Sequence, residues 1–101
     1  MRDMMEKRDV TAVFFTKHLY AISAVSYANQ AGFRIPEDVA IVTFDDSVEN
    51  ASLHPVLSAV RQPMFEIGAK AAQLILERMA KPKKPYETCL LPTELILRKS
   101  I

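Results

Sequence analysis

The run Val39-Ala40-Ile41-Val42-Thr43-Phe44 followed at once by Asp45-Asp46 constrains this chain more than any other stretch. A continuous β-branched and apolar run fits a strand buried on both faces, as in a parallel sheet covered by helices. Its abrupt end in two carboxylates matters because open α/β sheets bind ligands beyond the carboxyl ends of their strands. The two aspartates either begin a polar loop or face a ligand there, and the run alone leaves both open.

A second apolar run, Val10 to Phe15, is followed by Thr16-Lys17-His18. Leu19 to Ala31 then has a helical pattern, closed by Gly32, the residue favoured just past a helix C-terminus. Ile35-Pro36-Glu37-Asp38 leads into the Val39 run. These pieces make a βαβ unit, for which a right-handed crossover and parallel strands are expected. Lys17, His18, Asp45 and Asp46 then share one rim of the sheet, with the two loops starting about 5 Å apart if the strands are neighbours.

The helix from Leu19 to Ala31 contains no charged residue. Leu19, Ile22, Val25 and Ala28 are expected to cover the sheet. Ala21, Ala24, Tyr27 and Ala31 make up the other side. A helix apolar on most sides is buried on most sides, so another helix of the same subunit or a partner subunit is expected to cover it.

Further along, Ser47 to Pro55 is expected to be irregular and Val56 to Arg61 to be a short extended piece. Pro63 suits the first position of a long helix reaching Ala80, with Met64, Ile67, Ala71, Leu74, Ile75 and Met79 as its apolar stripe. Lys81 to Pro85 breaks that helix and forms a solvated loop. Glu87 to Leu91 and Thr93 to Leu97 are expected to be short strands around Pro92. Met1 to Arg8 has the spacing of closing helical turns.

Several chemistries lack their residues. The only two glycines, Gly32 and Gly68, cannot build a Gly-rich phosphate loop. His18, His54 and Cys89 have no metal-ligand spacing, and no serine sits in a nucleophile elbow. Cys89 is expected to be a buried, inert thiol in a strand. As a lone cysteine it has no disulfide partner in the chain. A net charge of +1 gives no bulk attraction to nucleic acid or membrane. No apolar run reaches the roughly 18 residues of a membrane span, and no helix-turn-helix signature appears. No enzyme, metal or cofactor is expected. An aspartate taking hydrogen bonds from ligand hydroxyls fits the strand end better than an Asp45/Asp46 acid–base pair.

Three segments carry a family resemblance. Ile35-Pro36-Glu37-Asp38-Val39-Ala40-Ile41-Val42-Thr43-Phe44-Asp45-Asp46 resembles the "PEDVSVVGFDD" segment of the lactose/galactose repressor (LacI/GalR) family of bacterial transcription regulators. Ser58-Ala59-Val60-Arg61-Gln62-Pro63 resembles its "TTVRQP", and Leu91-Pro92-Thr93-Glu94-Leu95 with Arg98 and Ser100 resembles its "LPTELVxRxS". The matches run nearly end to end, in order and at matching spacings.

The resemblance implies an α/β, periplasmic-binding-protein-like (type I) fold, a parallel sheet flanked by helices, present here as a C-terminal fragment. Residues 1–101 become a partial effector (sugar)-binding domain. Residues 1–57 and 87–101 fall in the C-terminal lobe, and the helix of 62–82 falls in the N-terminal lobe. The family binds its effector between the lobes and DNA through an N-terminal helix-turn-helix head absent from this stretch. Asp45 matches the family's effector-contacting aspartate, and Gln62 matches a position at the crossover between lobes. Lys17 and His18 replace an Asn-Asp pair, whose Asp caps the following helix.

The implied partners are a sugar or sugar derivative, a second copy in a dimer or higher oligomer, and DNA through the head alone. A cytoplasmic location is implied, with no membrane partner. Because Lys17 is a cation and His18 a titratable imidazole where the family has an Asn-Asp pair, the effector is expected to carry an anionic group, unless Lys17 instead pairs with Asp45 or Asp46. A periplasmic sugar-binding protein of the same fold, or a doubly wound enzyme using Asp45 or Asp46, are the competing functions.

Overall fold

The computed structural model describes Asp3 and residues 9–101. The expectation for Met1 to Arg8 lies outside the described residues except at Asp3. Strand β1 (Ala12–Phe15), helix α1 (His18–Ala31), β2 (Ala40–Phe44), a 3-10 turn (Val48–Ser52), β3 (Ser58–Arg61), helix α2 (Met64–Ala80) and β4 (Glu94–Ile96) follow in order. They fall into two compact units, Met1–Arg61 with Glu94–Ile101, and Gln62–Thr93.

The first unit holds a four-stranded sheet in the order β1-β2-β3-β4. β1, β2 and β3 run parallel, with Phe15 opposite Thr43 and Phe44 opposite Val60. β4 is antiparallel to β3, with Arg61 opposite Glu94. The three parallel strands therefore end on the same rim, as the βαβ pattern requires.

α1 packs on one face of this sheet. Its sheet-facing stripe is Ala21, Ala24, Val25 and Ala28, all fully or almost fully buried, against Ile35, Val39, Ile41 and Leu57. This corrects the expected face: Val25 and Ala28 are on it, but Leu19 is 53% exposed and Ile22 is only half-buried. The reason is steric. Two alanines one turn apart let the helix sit close to the sheet, which Leu19 and Ile22 would prevent. Gly32 ends the helix in the left-handed region at φ 79°, where it avoids the clash a Cβ meets, and the Phe33 amide donates to the Ala28 carbonyl at 2.9 Å.

Strands β1 and β2 are buried on one face rather than two. In β2, Ile41 and Thr43 are fully buried while Ala40, Val42 and Phe44 are half-buried, and Phe14 of β1 is 54% exposed. Within the first unit α1 covers the Ile41/Thr43 side of the sheet. The buried Thr43 hydroxyl donates to the Phe44 carbonyl at 3.0 Å, so its polarity is satisfied in place.

In the second unit α2 begins at Met64, one residue after the expected start, with Pro63 in the capping position at φ −78°, ψ 72°. Pro63 precedes the helix because its ψ is non-helical, while its carbonyl already accepts the Ile67 amide at 2.9 Å. None of the α2 residues is buried, and of the expected stripe Leu74 alone is half-buried. Residues 87–93 form no strand. They run without regular structure, and Cys89 among them is exposed, so neither the expected strand nor the buried thiol is found. The pairing that exists is shorter: β4 begins only after Pro92, which lacks the N–H a ladder needs.

Candidate functional site

The carboxyl rim of the sheet gathers three of the four candidate residues. Lys17 and Asp45 each stand two residues beyond the paired Phe15 and Thr43, on neighbouring parallel strands. Lys17, not His18, occupies the N-cap of α1, and His18 is the first helical residue. The cap has no side-chain hydrogen bond, because a lysine has no acceptor to offer; the Lys17 carbonyl instead accepts the Tyr20 amide at 3.1 Å. The Lys17 ammonium lies 5.7 Å from the centre of the Tyr20 ring. The Ser47 hydroxyl first, then a backbone hydrogen bond and last the nearby His18, hold the Glu49 carboxyl below its ordinary range. Gln62 directly follows β3 and belongs to the second unit, where its carbonyl accepts the Met64 amide at 2.9 Å.

The two aspartates differ sharply. Asp45 has a left-handed backbone, φ 72°, the sole non-glycine residue so placed among the described residues. Aspartate tolerates that region better than most residues, yet a cost on the order of 1 kcal/mol remains for an L-residue. Its amide donates to the Val60 carbonyl at 3.0 Å, and its carbonyl accepts the Asn50 side-chain amide at 3.3 Å. Asp45 is half-buried at the end of β2, where the chain turns out of the sheet.

Asp46 faces inward, with its side chain 7% exposed. Arg98 meets it in a two-pronged pair, Nη1 to Oδ1 and Nη2 to Oδ2, each at 2.8 Å. Arg61 adds Nη2 and Nε contacts to Oδ2 at 2.7 and 3.1 Å. Asn50, fully buried, donates to Oδ1 at 3.4 Å. Arg98 above all, with Arg61 and Asn50 behind it, holds the Asp46 carboxyl far below the usual carboxylate range, against the opposing effect of burial. Removing one partner costs less than the roughly 3–5 kcal/mol of a fully buried pair, because the Arg98 side chain is 20% exposed and that of Arg61 49%.

Arg61 and Arg98 are the site residues that the sequence reading missed. Each is an arginine at the end of an apolar segment, Ala59-Val60-Arg61 and Leu95-Ile96-Leu97-Arg98, and that placement was the available signal.

Elsewhere, the lysines after α2 are not all loosely solvated. Lys84 pairs with Glu77 and with Glu87, the latter at 2.8 Å, beside a cavity of about 120 Å³ that Leu74, Arg78 and Tyr86 help to line. Arg78 lies 4.4 Å from the centre of the Tyr86 ring. These contacts knit α2 to the segment after it. Among the described residues no group of three His, Cys, Asp or Glu side chains is placed to hold a metal ion. No helix of the described residues is long and apolar enough to cross a membrane.

Residues 2–101 match the periplasmic binding protein-like domain family. The chain belongs to that family. Within it, the ribose operon repressor of Haemophilus influenzae is 37% identical over 91 residues, 90% of this chain and 27% of the repressor. A LacI family transcriptional regulator from Enterococcus faecalis, solved with bound ribose, superimposes with a TM-score of 0.88 at 33% identity, over 95% of this chain and 36% of that one. A CelR–cellobiose complex gives a TM-score of 0.85 at 34% identity, over 91% of this chain and 28% of that one. The periplasmic binding protein-like chain thus spans about a quarter to a third of the proteins it resembles, and it corresponds to the C-terminal part of LacI-family effector domains. These relatives are repressors and transcriptional regulators, not enzymes, which supports the non-enzymatic reading.

Proposed function

We propose that this chain is part of the effector-sensing domain of a bacterial LacI-family transcriptional regulator. A sugar or sugar derivative binds at the carboxyl rim of the first unit's sheet and alters DNA binding by a helix-turn-helix head outside this sequence. The observation that carries the reading is Asp45, held in a left-handed turn at the carboxyl end of a parallel strand. A carboxylate there accepts hydrogen bonds from hydroxyls, worth roughly 1.5–3 kcal/mol each. Ribose and cellobiose, the sugars held by the two solved regulators, are dense in such hydroxyls.

In this reading Asp45 takes effector hydroxyls, and Lys17 and His18 approach from the neighbouring strand end. Gln62, the residue directly after β3, is the fourth position of the proposed site. The α2 helix, within residues 62–82, belongs to the N-terminal lobe, and residues 1–57 with 87–101 belong to the C-terminal lobe. The regulator works in the cytoplasm, where its operator DNA is, and acts as a dimer or higher oligomer.

Calorimetric titration of the protein with ribose, cellobiose, a sugar acid and a sugar phosphate tests the site. Binding of one of them, lost in Asp45→Gly, is the expected result. Affinity unchanged in that variant removes Asp45 from the site. The two charged ligands test Lys17 in the same experiment: an anionic effector requires tighter binding of the acid or the phosphate, weakened by Lys17→Met.

A further inference from the structure

We propose that Asp46, Arg98 and Arg61 form a clamp that positions Asp45, so that the segment after β4 helps to set effector affinity without touching the effector. This deepens the reading above and rests on it, since a positioning residue needs a site to position.

Adjacent aspartates at a strand end could both face a ligand, but here they are divided. Both Asp46 oxygens are engaged, Oδ1 by Arg98 and Asn50, Oδ2 by Arg98 and Arg61, and its side chain is nearly sealed from solvent. It cannot turn outward without taking the carboxylate away from Arg98, whose side chain is only 20% exposed. Asp45, half-buried at the end of β2, is the other aspartate of the rim.

The same contacts fix the direction of the Asp45 backbone. A residue other than glycine stays in the left-handed region where its surroundings over-determine it. Its amide is tied to β3 through Val60, and its carbonyl is tied to Asn50, whose side-chain amide also reaches Asp46. Arg98 joins the three pieces, because its Nη1 donates to the Leu57 carbonyl just before β3 at 2.8 Å as well as to Asp46. A planar fork does this where an ammonium cannot, since the two parallel bonds to a carboxylate need two nitrogens in one plane.

The test compares wild type with Arg98→Gln, Arg98→Lys and Asp46→Asn in the full chain. Two quantities are read: amide hydrogen exchange at Asp45 against Val25 and Ile41, and ribose affinity by calorimetry. The expected result is at least tenfold faster exchange at Asp45 in Arg98→Gln, with Val25 and Ile41 changed much less. Ribose binding weakens about tenfold in parallel, and Arg98→Lys recovers only part of either effect. Exchange that rises equally at all three amides, with affinity unchanged in the folded fraction, overturns the clamp. If Arg98→Gln does not fold, Asp46→Asn decides, since it keeps the side-chain shape and removes the charge; wild-type exchange at Asp45 in that variant also overturns it. A wild type that binds no ribose counts against ribose as the effector, while the exchange measurement still decides the clamp.

Discussion

Ser100 accepts the Ser58 amide on its hydroxyl at 2.7 Å, and the same hydroxyl donates to the Ile41 carbonyl. Its backbone does the same work, the Ile41 amide reaching the Ser100 carbonyl at 2.8 Å and the Ser100 amide reaching Val56 at 3.2 Å. One fully buried residue thus bridges β2 and the start of β3. Ser100→Ala strands the Ser58 amide and the Ile41 carbonyl in the interior. A loss of about 1–3 kcal/mol is expected, measured by denaturant unfolding; a loss under about 0.5 kcal/mol would show that the bridge adds nothing beyond its backbone bonds.

Acid should act on the fold through Asp46. Arg98 first, then Arg61 and Asn50, stabilise its anion in the folded chain, so its folded pKa lies below the unfolded value of about 3.9. As pH drops past that unfolded value, the unfolded chain takes up the proton before the folded chain does. The stability Asp46 gives is complete above that range and drains away as pH falls toward the folded value. Denaturation midpoints from pH 6 down to pH 2.5 should fall steeply in wild type and more gently in Asp46→Asn. Parallel curves would mean that other carboxylates govern the acid limb.

Asp45 separates backbone from side chain. Alanine there keeps a Cβ in the left-handed region, whereas glycine does not meet that clash. Asp45→Gly should therefore be more stable than Asp45→Ala by about 1 kcal/mol, by thermal unfolding, although both lack the carboxylate. Equal stabilities would mean that the turn relaxes when the aspartate is removed.

Self-association follows from what the described residues leave uncovered. β1 is an edge strand, Phe14 and Leu19 are about half exposed and Tyr20 is 61% exposed. An apolar edge next to an apolar helix end invites a second copy. Light scattering at about 100 µM should report a dimer or larger species, and Leu19→Lys with Tyr20→Lys should shift it toward monomer. A wild type that stays monomeric at that concentration ends the proposal.

The βαβ half of the first unit was legible because it is written locally. The β-branched runs, the glycine at the helix end and the carboxylates after β2 all act within a few residues of where they stand. The sheet face of α1 was misplaced by about a quarter turn because a helix without charged residues has no polar side to orient it. Distances along the chain hid the rest. Asp46 gave no sign that its partners lie 15 and 52 residues away, and Ser100 none that it belongs between two strands. The strand expected at Glu87 to Leu91 failed for the opposite reason. Its apolar run Cys89-Leu90-Leu91 is local, but in the described residues no neighbouring strand pairs with it.

The seat of Ser100 has a consequence in time. The pairings of β1, α1 and β2 close short loops, whereas Ser58 and Ser100 are 42 residues apart and Ile41 and Ser100 are 59. Long loops are closed late, because their entropy is lost before their contacts are gained. The serine should then be absent from the folding transition state and act as a latch dropped afterwards. In a chevron plot, Ser100→Ala should leave the refolding limb nearly in place and raise the unfolding limb, so that the variant folds as fast as wild type but comes apart sooner.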